Sequence, residues 1–535
     1  MVNIIEQPGH LTSLRMKLPY QADTLGLYQR LCGPSQASLL LDSAEIQSRQ
    51  NLKSLVMVNA ALELTCQAQT VTINALTANG EALLPWLTEQ LRDVCQLSTA
   101  QSQLICTFEP LPTAADEDSR LRMVSNVEPL RIIQQRLQQH AQQGNIHPLA
   151  LFIGGVFAYD YVASFEQLPT VDDGVNQCPD YQFYVAETLL VIDHQQQTTE
   201  LLASLFSGPQ SAQYYQDIAQ QLGRIAALCQ LPAVNSSSSP SAAQAQVVDS
   251  KVSATPSAKE FAQQVLDLKE HISAGDIFQV VPSRRFTMAC QDSLAAYAQL
   301  KQMNPSPYMF FMRTPAYELF GASPESALKY TKNTNQVELY PIAGTRPRGK
   351  HSNGSINADL DSRLELELRL DQKELAEHMM LVDLARNDLA RIAQPGTRYV
   401  ADLLQVDRYS HVMHLVSRVV AQLADDLDAL HAYRACMNMG TLVGAPKISA
   451  AALIRGVEKQ RRGSYGGAVG YINGHGDMDT CIVIRSAFVQ NGQAVVQAGA
   501  GVVHDSDPAA EVAETENKAR AVLEAIRIAN QQVQE

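Results

Sequence analysis

What the chain lacks narrows it first. No run of about 18 apolar residues occurs, and the most apolar stretch, 149–162, is broken by Asp160, so no membrane-spanning helix is expected. The first ten residues carry Glu6 and no apolar core, which excludes a signal peptide and points to the cytoplasm. Nine cysteines lie between Cys32 and Cys481 with no C-x-x-C pair and an odd total, a pattern of reduced thiols and not of a disulfide framework or zinc ribbon. Basic charge is short: 41 Lys+Arg against 55 Asp+Glu leave a formal net charge of −14. Such a surface repels nucleic acid and anionic lipid, so an anionic ligand must be held by a few placed Arg, Lys or backbone amides. There is no G-x-S-x-G elbow, no cysteine setting that marks a nucleophile, and no internal repeat.

What is present is an ordinary globular balance: 535 residues, 46% hydrophobic and 18% charged, enough for several units and a sizeable core. Residues 235–256 are rich in Ser, Ala and Gln and read as a linker or surface loop between regions 1–234 and 257–535. Before it, short apolar runs at 38–42, 55–59, 71–76, 104–109 and 188–193 predict strands, and helical spacing appears near 81–97 and 129–143. The chain is therefore read as α+β with much antiparallel strand. After it, Ser257 and Glu260 form a capping box, followed by Phe261, Val265, Leu268 and Ile272 at helical spacing, with a stop near Gly275. A strand at 277–281 and a long charged helix over 363–392 follow. Near the end, strands at 468–472, 480–490 and 494–502, separated by Asn473–Gly474 and Asn491–Gly492, predict a three-stranded meander. Asp507 as N-cap and Pro508 at N1 start a final helix to about residue 530.

Two pairs of carboxylates stand three residues apart on expected helices, Glu374 with Glu377 and Glu511 with Glu514. Two such faces could meet around a divalent ion, and hard oxygen donors without cysteine favour Mg²⁺ over zinc. The plain alternative is a solvated helix face. Arg485 sits in an apolar strand where, if Asn491–Gly492 is a two-residue turn, it lies opposite Ala498, beside Gly499 and Gly501. Guanidinium and close-approaching amides would suit a carboxylate, the alternative being an Arg paired to a neighbouring Glu.

Two phosphate motifs fail. Residues 344–350 match G-x-x-x-x-G-K, but position 351 is His where magnesium coordination needs Ser or Thr. Gly499 and Gly501 begin a G-x-G-x-x-G whose last position is His504, in the wrong context for a dinucleotide fold. His411 and His414 are either structural hydrogen-bonders or a base.

Together the runs PIAGTRPRG (341–349), DQKELAEHMMLVDLARNDLARI (371–392), YSHVMHLVS (409–417), MGTLVGAPK (439–447), RRGSYGGAVGYI (461–472) and QAGAGVVHDSDPAAEVAETENKA (497–519) resemble the chorismate-utilising enzymes. Within them the chain is most similar to the anthranilate synthase large-subunit family, component I. The resemblance implies a large two-layer β-sandwich flanked by helices. It also implies a lyase that converts chorismate and ammonia to anthranilate and pyruvate, the first committed step of tryptophan biosynthesis. It places Mg²⁺ at Glu377 and Glu514, with Glu374 and Glu511 close by. Substrate contacts would be Gly344, Thr345, Tyr465, Arg485, Gly499, Ala500, Gly501 and Lys518, with Thr441 at the reacting centre. Glu325 matches the general acid and His414 the base.

Two positions discriminate within the family. Water-adding members carry Lys where this chain has Gln279, and aminodeoxychorismate synthases carry a Lys nucleophile where it has Ala343. Aminodeoxychorismate synthase and a catalytically silent tryptophan-binding subunit are the alternatives. The run LLLDSAE (39–45) with Lys53, and Pro307, Tyr308 and Met309, resemble an allosteric tryptophan site that Ser43 would also line; the family usually has Glu at Asp42. No glutaminase domain is seen after Glu535, so the resemblance implies a separate glutamine amidotransferase subunit in a hetero-oligomer, a heterotetramer if two of each subunit assemble, or the use of free ammonia.

Overall fold

A computed structural model of the chain describes residues 5–44, 51–112, 116–142, 144–231, 251–351, 354–409 and 412–532. Most of the expected linker, 235–250, and His411 lie outside them. The last residues of that linker form the strand Ser253–Thr255, which pairs with Ser283–Ala289.

Among the described residues, twenty-three strands are joined by hydrogen bonds into one system, and the pairings trace two runs that share the long antiparallel pair Asn51–Gln67 and Tyr181–Asp193. One run continues through Ser38–Ala44, Tyr308–Arg313, Glu318–Ser323, Ser486–Gln490, Gln493–Gly499 and Ser283–Ala289. The other continues through Phe152–Phe157, Ala468–Asn473, Met478–Ile482, Ser326–Thr331, Gln336–Leu339 and Val412–Gln422. Each layer thus joins strands from before 235 to strands from after 250, through the pairs of Ser38–Ala44 with Tyr308–Arg313 and of Phe152–Phe157 with Ala468–Asn473.

Side-chain alternation explains the stacking. In Tyr308–Arg313, Phe310 and Met312 face the space between the sheets, where they meet Phe152, Val156, Val469 and Cys481. Met309 and Phe311 face outward beneath the helices Ser211–Cys229, Ser293–Met303 and Pro508–Gln532. The second sheet is covered by the helices Leu83–Leu91, Glu128–Arg136, Gln372–Ala390 and Ala429–Cys436. A strand buried on both faces reads as a continuous apolar run, as Phe152–Phe157 does. The architecture is the expected sandwich flanked by helices.

Local signals held where the chemistry is local. Ser257 and Glu260 form the capping box and Gly275, at φ 85°, ends the helix Ala258–Ala274. Asn491 and Gly492, at φ 51° and 73°, make the two-residue turn. Asp507 accepts the Ala510 N–H and Pro508 opens the last helix.

Four expectations are corrected. The charged helix is two helices, Ala358–Leu370 and Gln372–Ala390, because Asp371 leaves helical geometry to cap the second through the Lys373 and Glu374 amides. The helix near 129–143 ends at Arg136, and Gln138–Ala141 pairs in parallel with the first strand, His10–Leu18. Asn473–Gly474 opens a longer loop, in which Asn473 caps the His475 and Asp477 amides. The meander is two hairpins: the expected strand 480–490 breaks at Arg485, φ 48°, where the chain changes partner from Ser326–Thr331 to Glu318–Ser323.

Candidate active site

The break at Arg485 builds the centre of the site. Its carbonyl accepts the Ala322 N–H at 3.1 Å, and its half-buried guanidinium has no hydrogen bond or ion pair with any described residue. Burial pulls its pKa down, while the facing Tyr409 and Glu325 oppose that. A desolvated cation without a partner is prepared for an anion.

Glu325 lies between the strands Glu318–Ser323 and Ser326–Thr331, 6% exposed, and accepts the Thr441 hydroxyl at 3.0 Å. Burial pushes its pKa up to about 8, against the opposing pull of Thr441, Arg485 and Lys518. At neutral pH this carboxyl holds a proton it can donate.

His414 stands opposite Thr345 on the neighbouring strand Ile342–Pro347. Its Nδ1 is 3.0 Å from the Thr345 hydroxyl and 3.3 Å from the Gly344 carbonyl, and its buried Nε2 has no partner. A proton on Nδ1, assigned from the carbonyl it faces, leaves Nε2 as a free lone pair. Burial, then Arg485, push its pKa down to about 3, so the ring is neutral.

The glycines are cut to fit. A Cβ on Gly499 would sit 2.9 Å from the Tyr465 hydroxyl, and one on Gly501 2.9 Å from Gln279 Nε2. Between them Ala500 is buried, its N–H held by the Pro282 carbonyl at 3.1 Å. Lys518 Nζ donates to the Gly499 carbonyl at 3.0 Å and pairs with Glu514 at 2.6 Å. Its charge reaches Glu325, His414, Glu377 and Glu511 alike, which places all of these expected residues about one site.

The four helix carboxylates are held apart in role. Glu377 accepts Gln279 Nε2 at 2.9 Å and Glu374 accepts Arg346 at 2.9 Å. Burial and the neighbouring Glu374 and Glu514 keep the Glu377 carboxyl above the ordinary range. Burial, with Glu514, does the same to Glu511, whose Oε2 is buried without a partner. No three metal-ligating side chains are grouped closely enough to form a site among the described residues. The donor set still fits Mg²⁺: hard oxygens, one of them orphaned, whose mutual repulsion a divalent cation would relieve. Arg346, which also holds Asp371 at 2.5 Å, was missed in the sequence. Only its position within the PIAGTRPRG run marks it. The loop is not a phosphate cradle, since residues Ile342–Pro347 are a strand and Arg348 is bound to Asp361.

Of the residues expected at a second site, Ser43 is in register with Lys53 on one side and Tyr308 on the other, with Pro307 just before that strand. Tyr308 donates to Asp479 at 3.1 Å. Met309 turns its side chain to the opposite face, into the outer core, because successive strand residues alternate. Asp42 is buried and accepts from Ser54 at 2.5 Å, Tyr297 at 2.9 Å and Lys301 at 2.6 Å.

The class follows from comparison over most of the chain: residues 90–524 match the chorismate binding enzyme family, and the chain belongs to it. Within that class it is 57% identical to anthranilate synthase component 1 of Vibrio cholerae, over 98% of both chains, and 53% identical to that of Escherichia coli, over 96% of both. Its fold matches the crystal structure of anthranilate synthase component I from Streptococcus pneumoniae with a TM-score of 0.67 at 26% identity, covering 94% of this chain and 98% of that one. It also matches the menaquinone-specific isochorismate synthase of Escherichia coli, TM-score 0.65 at 18% identity over 98% and 96% of the two chains, a likeness of fold alone. Among the described residues no helix is long and apolar enough to cross a membrane.

Proposed function

We infer that the chain is the large subunit of an anthranilate synthase, converting chorismate and ammonia to anthranilate and pyruvate. The observation that carries this is the pairing of opposite proton states around one guanidinium: a protonated Glu325 and a neutral His414 with a free Nε2, both facing Arg485.

Chorismate is a dianion. Arg485 and the glycine-lined strand end at 499–501 take one carboxylate, with Tyr465 and Lys518 fixing that wall. Glu377 and Glu514, with Glu374 and Glu511 close by, would hold Mg²⁺, which supplies positive charge for the other carboxylate. Ammonia attacks ring C2 as the C4–O bond breaks, and Glu325 protonates the departing hydroxyl so that water leaves, with Thr441 holding the carboxyl in place. His414 Nε2 then takes the C2 proton as the enolpyruvyl C–O bond breaks and the ring becomes aromatic, and the departing enolate takes a proton from water at its methylene carbon to become pyruvate. The substrate's negative charge raises the basicity of His414 toward that task. Gln279, a neutral amide, does not activate water, and Ala343 offers no amine to capture the ring; both favour ammonia as nucleophile.

Region 1–234 and the strand after Pro307 are assigned to feedback by tryptophan, at the place where Ser43, Lys53, Pro307, Tyr308 and the Met309 backbone adjoin. Ammonia is drawn from glutamine by a partner amidotransferase subunit, the assembly being cytoplasmic. The test is anthranilate fluorescence from chorismate and Mg²⁺ with ammonium, or with glutamine and the partner, each with and without tryptophan. Turnover unaffected by tryptophan removes the regulatory assignment, and glutamine use by this chain alone removes the partner.

A further inference from the structure

Glu325 and His414 come from segments that do not share a strand pair, so their spacing depends on what lies between them. Tyr409, buried just after the strand Tyr399–Arg408, touches the supports of both. Its N–H donates to the Val412 carbonyl at 2.8 Å and its carbonyl accepts from Arg348 at 2.7 Å. Arg348 is in turn gripped by both oxygens of Asp361 at 2.8 Å, which also accepts the Gly349 N–H at 2.8 Å. The Tyr409 backbone is thereby tied to a bidentate ion pair and cannot shift without disturbing it.

From that anchored position the phenol O–H donates to the Pro324 carbonyl at 3.4 Å. This carbonyl belongs to the peptide that leads into Glu325, and the N–H of the same peptide donates to the Ser323 hydroxyl at 3.3 Å. The ring meets the His414 imidazole edge to face, with centroids 5.2 Å apart and planes at 69°. Resting on the assignment of Glu325 and His414 to the two proton transfers, the geometry points to Tyr409 as a positioning residue for both: its phenol fixes the peptide that carries the acid, and its ring fixes the plane of the base. It is not a catalytic residue, since both of these contacts are made to the protein.

The charged groups around this trio are few. Glu325 and His414 both face Arg485 and Lys518, and Tyr409 faces Arg485, Glu325 and Asp407. Releasing the phenol lets the Glu325 loop relax and water reach the carboxyl, which lowers the pH at which the acid loses its proton.

The experiment compares wild type, Tyr409→Phe and Tyr409→Leu in steady-state turnover of chorismate with ammonium and Mg²⁺ across pH 6–9, with thermal unfolding alongside. Tyr409→Phe, which keeps the ring and volume, lowers kcat about tenfold at little change in KM and moves the alkaline limb of kcat to lower pH. Tyr409→Leu, which also frees the imidazole, lowers kcat further, to roughly a hundredth of wild type. A Tyr409→Phe enzyme with wild-type kcat and alkaline limb overturns the proposal. So does a raised KM at unchanged kcat, which would make Tyr409 a substrate contact, or a lowered unfolding temperature with an unmoved limb, which would make it merely structural. Wild type that forms no anthranilate overturns the functional reading and the positioning role with it. An active wild type with an unchanged variant overturns the positioning role alone.

Discussion

Replacing Glu325 by Gln should make the protein more stable and nearly inactive, and the gain should follow pH in a set way. In the unfolded chain the carboxyl ionises near 4.5, whereas in the folded protein burial pushes it up to about 8. Below pH 4.5 both states hold the proton and the group costs nothing. Between 4.5 and 8 the unfolded chain loses its proton while the folded one keeps it, so stability falls as pH rises; above 8 the cost levels off. Linkage gives a cost of about 1 kcal/mol at pH 5 and about 3 kcal/mol at pH 7. Gln cannot ionise, has the same shape, and can still accept the Thr441 hydroxyl, so it recovers this cost. Urea unfolding of wild type and E325Q at pH 5, 6, 7 and 8, without substrate, should show a difference that opens steadily with pH. Turnover should fall about 10²- to 10⁴-fold because an amide is no acid. A variant that is no more stable than wild type at any pH, or a difference independent of pH, refutes the claim that burial keeps this carboxyl protonated.

Other substitutions separate the remaining roles. Glu377→Gln and Glu514→Gln should each raise the Mg²⁺ concentration needed for half-maximal turnover by at least about tenfold; a magnesium titration superimposable on wild type removes these residues from the metal. Arg485→Met should raise KM for chorismate roughly tenfold to a hundredfold, with no loss of thermal stability since the guanidinium has no protein partner to abandon. A large stability loss with unchanged KM would show a structural arginine instead. Asp42→Ala leaves the partly buried Lys301 ammonium without its carboxylate and the buried Tyr297 and Ser54 hydroxyls without their acceptor, a cost of about 2–3 kcal/mol in urea unfolding, and should abolish inhibition by tryptophan while ammonium-dependent turnover survives; full inhibition with wild-type stability contradicts the placement.

The parts of the fold that could be read from sequence are those decided by neighbours in the chain. The Ser257 capping box, the Asn491–Gly492 turn and the Asp507–Pro508 helix start each depend on a few consecutive residues, and each is in place. The strand 480–490 misled because Cys481, Val483, Ala487 and their neighbours stay apolar straight through the break. What ends pairing at Arg485 is the exchange of one partner strand for another more than 150 residues away, which no local pattern records. Asp371 did carry a local signal, an Asp three residues before Glu374, masked by the dense helix-forming charge on either side.

The site divides along the same line. Paired carboxylates and an arginine in an apolar strand suggest an anion and a cation, but nothing in their spacing says that Glu325 sits beside Thr441 or that His414 faces Thr345. Those juxtapositions come from strands that pair at long range, and before the fold they were legible only through resemblance. The unpartnered Nε2, the Gln279–Glu377 contact and the bond from Tyr409 to Pro324 are properties of packing alone.

Identification of the product formed from chorismate and Mg²⁺, with and without ammonium, bears most directly on the whole account. It predicts anthranilate and an equal amount of pyruvate when ammonium is present, and neither when ammonium or Mg²⁺ is withheld. Accumulation of isochorismate in water, or of aminodeoxychorismate without pyruvate, would contradict it.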